Sequence, residues 1–408
     1  MVEARQQPRL VDEGAQAERE GLRMALRQHA DVQRVTVRTE SESECAAICY
    51  PDLTGRVAPG DSVIVNTTAV RLGLGSGGAH FVMWMEGRHC IDGRLRGHIM
   101  KLRYTPMQLA CGAAEEDEAN LAAINAFDGL HGMPVVVCEL HSMLTPVAAG
   151  LAAAACASGR ASAPVPLPPP PPRVVYIMTD GGALPVAMSL SVEALRRAGL
   201  IAAVITAGHA FGGDYEAVNI HSALVIAAQV ARADAAIVCM GPGVVGTGTR
   251  FGTTAMEQGP ALDAVTRLDG RAILTPRLAR GDSRGRHTPV SHHTITLLEQ
   301  VCCLPCDVVL ASDMDAAFLD RARQALAPAL DAGRHRLRLA QGTAGVSLAR
   351  AAGLPLSTMG RGYDDEPDFF LTCAAAGAYA AAAAVSSTVP AAGAAANAHT
   401  PWADGGEA

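Results

Sequence analysis

Lysine is almost missing from this chain. Of 33 basic residues one is a lysine, Lys101, and the other 32 are arginines (33 − 1). Arginine is a planar, permanently charged fork, whereas lysine is a compact ammonium that sheds its proton when desolvated. Position 101 is therefore either a chance survivor of coding bias or a place where a guanidinium does not serve, and acid–base or nucleophilic chemistry is one reason for the second. Aromatic residues make up only 4% of the 408 residues, the formal charge is −7, and no basic run is interleaved with aromatics. That composition excludes a nucleic-acid groove and nucleic-acid partners. Residues 1–28 are polar, with no apolar signal core. The uncharged run over 371–399 is mostly alanine, broken by Ser386, Ser387, Thr388, Pro390, Gly393 and Asn397. It reads as a helix end followed by a disordered tail, not a membrane span. Eleven cysteines, an odd number scattered through apolar segments, argue against a disulfide framework and for a reducing interior. Cys303 and Cys306 form a CxxC and Cys45 and Cys49 a looser pair, but neither has a partner pair at zinc-ribbon spacing, so both read as buried small hydrophobes. The expectation is a soluble, cytoplasmic protein with no membrane partner. Self-association into a homo-oligomer is left open.

What is present falls into two parts. After a polar N-terminal segment (1–30), residues 31–97 hold short alternating runs: Val32, Val35 and Val37, then 45–50, a turn at Pro59-Gly60-Asp61, 62–66, and 81–85 beyond a glycine cluster. Closely spaced strands with glycine turns predict a small all-β domain, barrel or meander. Residues 98–372 change period. Apolar runs at 133–138, 173–178, 200–205, 235–240, 271–275 and 307–311 alternate with helix-like stretches from Thr145 and over 185–198, 215–232 and 256–268. This alternation predicts an α/β fold: a mostly parallel open sheet covered by helices on both faces. An alanine- and proline-rich insertion (151–172) and an Ala-rich, largely disordered tail (373–408) complete the layout.

Right-handed crossovers place the residue after every parallel strand on one rim, where open sheets of this kind bind ligands. His141, Asp180, His209, Asp214 and the loop over 241–249 all follow apolar runs directly, while the helix-to-strand connections are short and plain. The rim is thus expected to carry the chemistry. The loop Gly241-Pro-Gly-Val-Val-Gly246 fits GxGxxG, but Thr247-Gly-Thr-Arg-Phe-Gly252 continues it as a loop and the next strand runs into Pro276 and Arg277, not an acid. NAD or FAD is therefore disfavoured. Small residues facing an anion fit better, with Gly241, Gly243, Gly246, Thr247, Thr249 and Arg250 as anion-binding candidates; a tight turn needing glycine for its backbone angles is the plainer alternative. Asp180 and Asp214 adjoin glycine pairs and could take a proton or hold a cation, although Asp214 could equally cap a helix. His141, His209, His292 and His293 lie on expected rim loops. They are candidates for general acid–base work or, with the aspartates, for a divalent metal site, but no HxxxH or HExxH ties any two to one helix face. Lys101 and Arg103 stand just before the α/β body and would add cations to an anionic substrate.

The stretches His98-Ile-Met-Lys-Leu-Arg-Tyr-Thr-Pro106, Leu140-His-Ser-Met-Leu144, Thr206-Ala-Gly-His-Ala-Phe-Gly-Gly-Asp214, Met240-Gly-Pro-Gly243 and Ser291-His-His-Thr294 together resemble a bacterial family known only as domain of unknown function 3866, over about residues 32–377. The resemblance implies a domain layout and no activity. The residues themselves point to an enzyme, a hydrolase or group transferase, acting on a small phosphate- or carboxylate-bearing metabolite. His209 would carry the proton, Asp180 would orient it, and Lys101 and His141 complete the catalytic candidates; Arg103, Asp214, His292, His293 and the glycine loop would bind substrate. A non-enzymatic metabolite-binding regulator or scaffold is the alternative.

Overall fold

The computed structural model describes residues 3–6, 32–39, 44–75, 77–88, 97–158 and 172–387. The rest of the N-terminal segment, residues 159–171 of the expected insertion and 388–408 of the expected tail lie outside the described residues.

The small β domain is one mixed sheet of β1 (Glu3–Gln6), β2 (Gln33–Arg38), β3 (Cys45–Cys49), β4 (Val63–Asn66) and β5 (His80–Met85), in the order β1-β2-β3-β5-β4. The alternation in β2 buries Val35 and Val37 against Ala47, Cys49, Val57, Val63, Val82 and Met85 and turns Arg34 and Arg38 outward. It is not a pure meander, because β3 and β5 pair in parallel across the excursion that carries the short helices α1 (Pro51–Thr54) and α2 (Thr68–Arg71). A hairpin of β6 (Ile99–Lys101) and β7 (Leu109–Cys111), then α3 (Glu118–Asn125), lead into the body.

Eight strands build the main sheet: β8 (Pro134–Cys138), β9 (Val174–Thr179), β10 (Ala203–Ala207), β11 (Tyr215–Ala217), β12 (Ala235–Met240), β13 (Arg271–Thr275), β14 (Asp307–Ala311) and β15 (Arg336–Ala340). Their order is β11-β10-β9-β12-β8-β13-β14-β15 and every pairing is parallel. The central strands β8, β9 and β12 are buried at every residue, as continuous Val, Ile and Met runs require when both faces are covered. The connection from β8 to β9 through α4 (Leu144–Ser158) and from β9 to β10 through α5 (Leu190–Arg197) steps one way along the sheet. The connections through α6 (Ile220–Gln229), α7 (Gln258–Arg267), α8 (His292–Thr296) with its π-helical continuation Leu297–Val301, and α9 (Ala316–Asp331) step the other way. Right-handedness puts the two groups on opposite faces, and the packing agrees: α4 touches α5, while α6 touches α7 and α8 touches α9. Two last helices, α10 (Thr343–Ala351) and α11 (Pro367–Ser387), return to lie on α4.

Three expectations need correction. The helix expected over 215–232 begins with a strand: Tyr215–Ala217 adds β11 to the sheet edge, and Asn219 then caps α6 with its side chain. The tail expected from residue 373 is ordered through Ser387, with Cys373, Ala374, Ala375 and Ala376 fully buried in α11. Its alanines let α11 lie close to α4 and α10, where Gly150, Gly345 and Gly377 meet neighbouring backbone with no room for a Cβ. Likewise the first eight residues of the expected insertion, 151–158, belong to α4, and Leu151 is core.

Candidate functional site

The switch point of this sheet lies between β9, whose chain leaves in one direction, and β12, whose chain leaves in the other. Its two loops are zipped together. Ala183 N donates to Pro242 O over 2.9 Å, and a Cβ at Gly182 or Gly241 would overlap the opposite loop's backbone. The backbone these glycines admit is therefore each other's. Beneath them the Thr179 hydroxyl donates to Glu257, whose carboxyl is pushed up to about 7 by burial, with the Asp180 charge adding to it. Asp180 itself accepts from the backbone N of His209 (2.9 Å), so it holds the β10 loop and not the imidazole ring. That ring is oriented by Leu102 N, which donates to His209 Nδ1 at 3.0 Å and leaves the ring proton on Nε2.

Lys101 ends β6 and is 1% exposed. Its ammonium donates to the carbonyls of Thr206 (3.3 Å), Ala210 (2.8 Å) and Ala217 (3.3 Å) and pairs with Glu216 Oε2 at 3.2 Å. An ammonium has three donors, which these carbonyls and Glu216 share, so the lysine clasps the loop between β10 and β11. Asp214 is similarly engaged: it accepts from Val204 N (2.8 Å) and from both Arg196 Nη atoms (3.3 and 2.5 Å), bracing α5 against β10. His141 follows β8. Its Nδ1–H donates to Met240 O (3.0 Å), and its Nε2 accepts from Ser189 Oγ (2.6 Å), the hydroxyl that caps α5 through Val192 N. Burial pulls this imidazole down to about 4 despite the bond to Met240 O, so it is neutral and ties β8, β12 and α5 together.

The other half of the rim, over β8 and β13, is different. Glu139, 1% exposed, receives Arg277 Nη1 (3.3 Å) on one oxygen and Thr294 Oγ1 (2.9 Å) on the other. Arg277 is 5% exposed and reaches Asp282 Oδ2 at 3.7 Å. Asp282 also takes two side-chain bonds from Arg284 (2.9 and 2.7 Å), which hold its carboxyl far below the ordinary range. Against these groups stand three imidazoles, His287, His292 and His293, with ring centres 5.3, 5.7 and 3.9 Å apart. Burial, then Arg277 and Arg284, brings His287 down to about 3; burial and neighbouring cationic groups lower His292 and His293 as well. Here, among the described residues, Thr288 Oγ1, His292 Nε2 and His293 Nδ1 are buried without hydrogen-bond partners, and Arg277 Nη2 has only its 3.7 Å ion pair with Asp282. A buried polar atom left unpaired costs about 1–3 kcal/mol, and several in one segment call for an explanation.

The glycine loop borders this segment. Residues 245–254 fold back on themselves, with Thr254 N donating to Val245 O (2.9 Å) and Thr247 N to Gly252 O (2.8 Å). Thr247 and Thr249 bond each other (2.9 Å), so their hydroxyls are partly spent within the loop. The third glycine opens no helix, which starts only at Thr254 as a 3₁₀ turn. Arg250 is held by Glu299 (3.0 Å) and Thr296 (3.4 Å), its backbone carbonyl bonds the His293 ring, and Gly248 lies against the Arg286 guanidinium.

The structure thus brings His209, Asp180 and the Lys101 segment together in one half of the rim. In the other half it gathers His292, His293 and the loop with Gly246, Thr247, Thr249 and Arg250. Gly241 and Gly243 join the halves, Gly243 with a positive φ of 119°. Arg103 is exposed on the β6–β7 hairpin between two left-handed residues, Leu102 and Tyr104. The candidate histidines and aspartates do not converge as metal ligands: among the described residues the group of three whose ligand atoms lie within 4.8 Å of one another contains none of them. Glu139, Arg277, Asp282 and His287 were not among the candidates. Their signal was a charged residue directly after β8 and another after β13, strands that prove to be neighbours. Among the described residues no helix is long and apolar enough to cross a membrane. No curated protein and no solved structure matches the chain. A family model does match it, over residues 46–377, and the chain belongs to the family described as "Protein of unknown function (DUF3866)".

Proposed function

We propose that the chain binds a small phosphate- or carboxylate-bearing metabolite among the groups over β8 and β13 and acts on it by hydrolysis or group transfer. The observation that carries this reading is the set of buried atoms without hydrogen-bond partners on Thr288, His292 and His293 beside Arg277, Arg284 and Arg286. An oxyanion would be drawn by the cationic side chains of Arg284 and Arg286 that stand near the imidazoles. Neutral imidazoles offer one donor and one acceptor nitrogen each, so His292 and His293 can move a proton without first losing one to solvent. Arg250 and the glycine loop cover the ligand from the β12 side. Lys101, Asp214 and His141 act in this reading as positioning residues, because their polar atoms are engaged in holding the rim loops. His209 and Asp180 lie in the neighbouring half of the rim, where Leu102 N orients the His209 ring through Nδ1.

A second reading, a metabolite-binding regulator, is favoured by one contact. Tyr50 of the small β domain donates to Met188 Sδ (3.4 Å), one residue before the Ser189 that bonds His141, so the two parts of the chain meet beside a rim residue.

The test is calorimetry and thermal shift with inorganic phosphate, sugar phosphates, nucleotides and dicarboxylates, followed by product analysis of any compound that binds. Saturable binding that falls at least about tenfold in His292→Ala and His293→Ala, the loss of about 1.4 kcal/mol, supports the placement. Binding unaffected by both refutes it. Binding without product favours the regulator.

A further inference from the structure

A second cluster sits on the opposite rim. Cys302 follows the π-helical turn, Cys306 immediately precedes β14, and His335 immediately precedes β15. Because Asp307 and Arg336 are in register, Cys306 and His335 are neighbours one step before the paired strands begin, and Arg336 N donates to Cys306 O at 3.0 Å. All three are buried, and one ligand atom from each lies within 4.8 Å of the others. Cys306 Sγ is 3.2 Å from His335 Nδ1, and His335 Nε2 donates to Leu298 O at 3.0 Å. The second bond decides the tautomer: with the proton on Nε2, Nδ1 presents a lone pair to the Cys306 sulfur. A ring nitrogen anchored to a backbone carbonyl, with its other nitrogen turned to a thiol, is the arrangement that outer hydrogen bonds give a metal-binding histidine.

We propose that Cys302, Cys306 and His335 bind one structural zinc ion. A tetrahedral centre with Zn–S of about 2.3 Å and Zn–N of about 2.0 Å sets its S···N edge near 3.6 Å and its S···S edge near 3.8 Å. The Cys306–His335 edge, at 3.2 Å, lies within a few tenths of an ångström of its value, and the two edges from Cys302 are no longer than 4.8 Å. Asp263, whose Oδ1 lies 3.5 Å from Cys302 Sγ, is the carboxylate beside the fourth position. Binding releases the two thiol protons, and two thiolates neutralise the divalent charge, which a buried site requires. The CxxC spacing is misleading: Cys303 is exposed and directed at Val301 O, and Cys302 is the partner of Cys306. Placed at the strand starts, away from the rim loops, the ion would pin the π-helical turn, β14 and β15 together.

The full chain, expressed with zinc in the medium and purified without chelator, should hold about one zinc per chain by mass spectrometry. Cobalt exchanged into it should give thiolate-to-cobalt charge-transfer absorption. Cys306→Ser and His335→Gln should each lose most of the zinc, Cys303→Ser should keep it, and chelation should lower the melting temperature. Should those two variants fail to fold, the cobalt spectrum of the parent decides. Parent protein free of zinc, cobalt protein without the charge-transfer band, a Cys302–Cys306 disulfide, or zinc retained in folded Cys306→Ser and His335→Gln would each overturn the assignment.

Discussion

Replacing Lys101 by methionine tests how the rim is held. The ammonium is buried and serves three carbonyls and Glu216. Methionine keeps the length of the side chain but leaves the Glu216 carboxyl with only Thr206 Oγ1 and Gly212 N, each at 2.7 Å. Burial already raises the Glu216 carboxyl above the ordinary range, with Lys101 opposing that shift, so without the lysine it takes up a proton more readily. Breaking a buried pair by removing one partner costs about 3–5 kcal/mol. Three orphaned carbonyls push toward the upper end, and relaxation of the β10–β11 loop pulls back. With a urea slope of about 3 kcal/mol/M or more for a chain this large, the midpoint should fall by about 1 M. Lys101→Arg should also destabilise, since the planar fork is wider than the space that three carbonyls leave for an ammonium. The pairing itself is isolated by a double-mutant cycle with Glu216→Gln, in which the second substitution should cost markedly less in the Lys101→Met background. Phosphate binding, corrected for stability, should survive. A Lys101→Met protein within about 0.5 kcal/mol of the parent that had lost ligand binding would show the lysine to be a functional group and sink the clasp argument.

Two more outcomes follow from the same geometry. His141 titrates at about 4 when folded against an ordinary 6.5, so the folded chain binds fewer protons between those values. The stability this contributes is complete above about pH 6.5 and is lost as pH falls through about 4, to a total of about 3 kcal/mol at most; chemical denaturation of His141→Asn across that window should show a flatter acid limb. At the crossing of α4 and α11, Gly150→Ala would drive a Cβ into the Ala374 carbonyl and Gly377→Ala one into the Val147 carbonyl. Each should cost about 1–3 kcal/mol of stability in urea titration, whereas an alanine at exposed Gly285, with nothing near it, should be close to neutral.

The sheet was legible wherever a strand is apolar on both faces, because a run such as Pro-Val-Val-Val-Cys fits few other environments. It was illegible at the edges. Strand β15 reads Arg-Leu-Arg-Leu-Ala, and Arg336 and Arg338 belong there because they surround the buried Asp307 together with Arg271, a partnership spanning three strands. Strand β11 is three residues long, too short to show a period before the helix that follows. Helix α11 hid in low complexity: alanine has the strongest helix propensity but carries little burial signal, and here shape supplies the packing. As for the site, the concentration of polar residues after the strands was visible, but their satisfaction was not. Nothing local distinguishes Lys101, which meets carbonyls more than a hundred positions away, from a lysine left free for chemistry.

That distinction is what separates the two halves of the rim. Over β9, β10 and β12 the polar groups form a closed account: Lys101, Asp214 and His141 have partners at ordinary hydrogen-bond distances, and the crevice glycines are filled by opposing backbone. Such a set can be explained by the fold alone, because every group supports a loop. Over β8 and β13 the fold explains only part. Glu139, Arg277 and Asp282 compensate one another's charge, yet the Thr288 hydroxyl and two adjacent imidazoles each keep a buried atom without a hydrogen bond. Each such atom costs about 1–3 kcal/mol if nothing bonds it. Apolar residues of similar volume would remove that cost if support were the only role. Groups retained against such a penalty take their partner from water or from a ligand. Thr288, His292 and His293 stand beside the Arg277 ion pairs, so in the proposed reading one ligand offering both a donor and an acceptor would satisfy them together, and it would stabilise the protein by an amount that grows with its concentration.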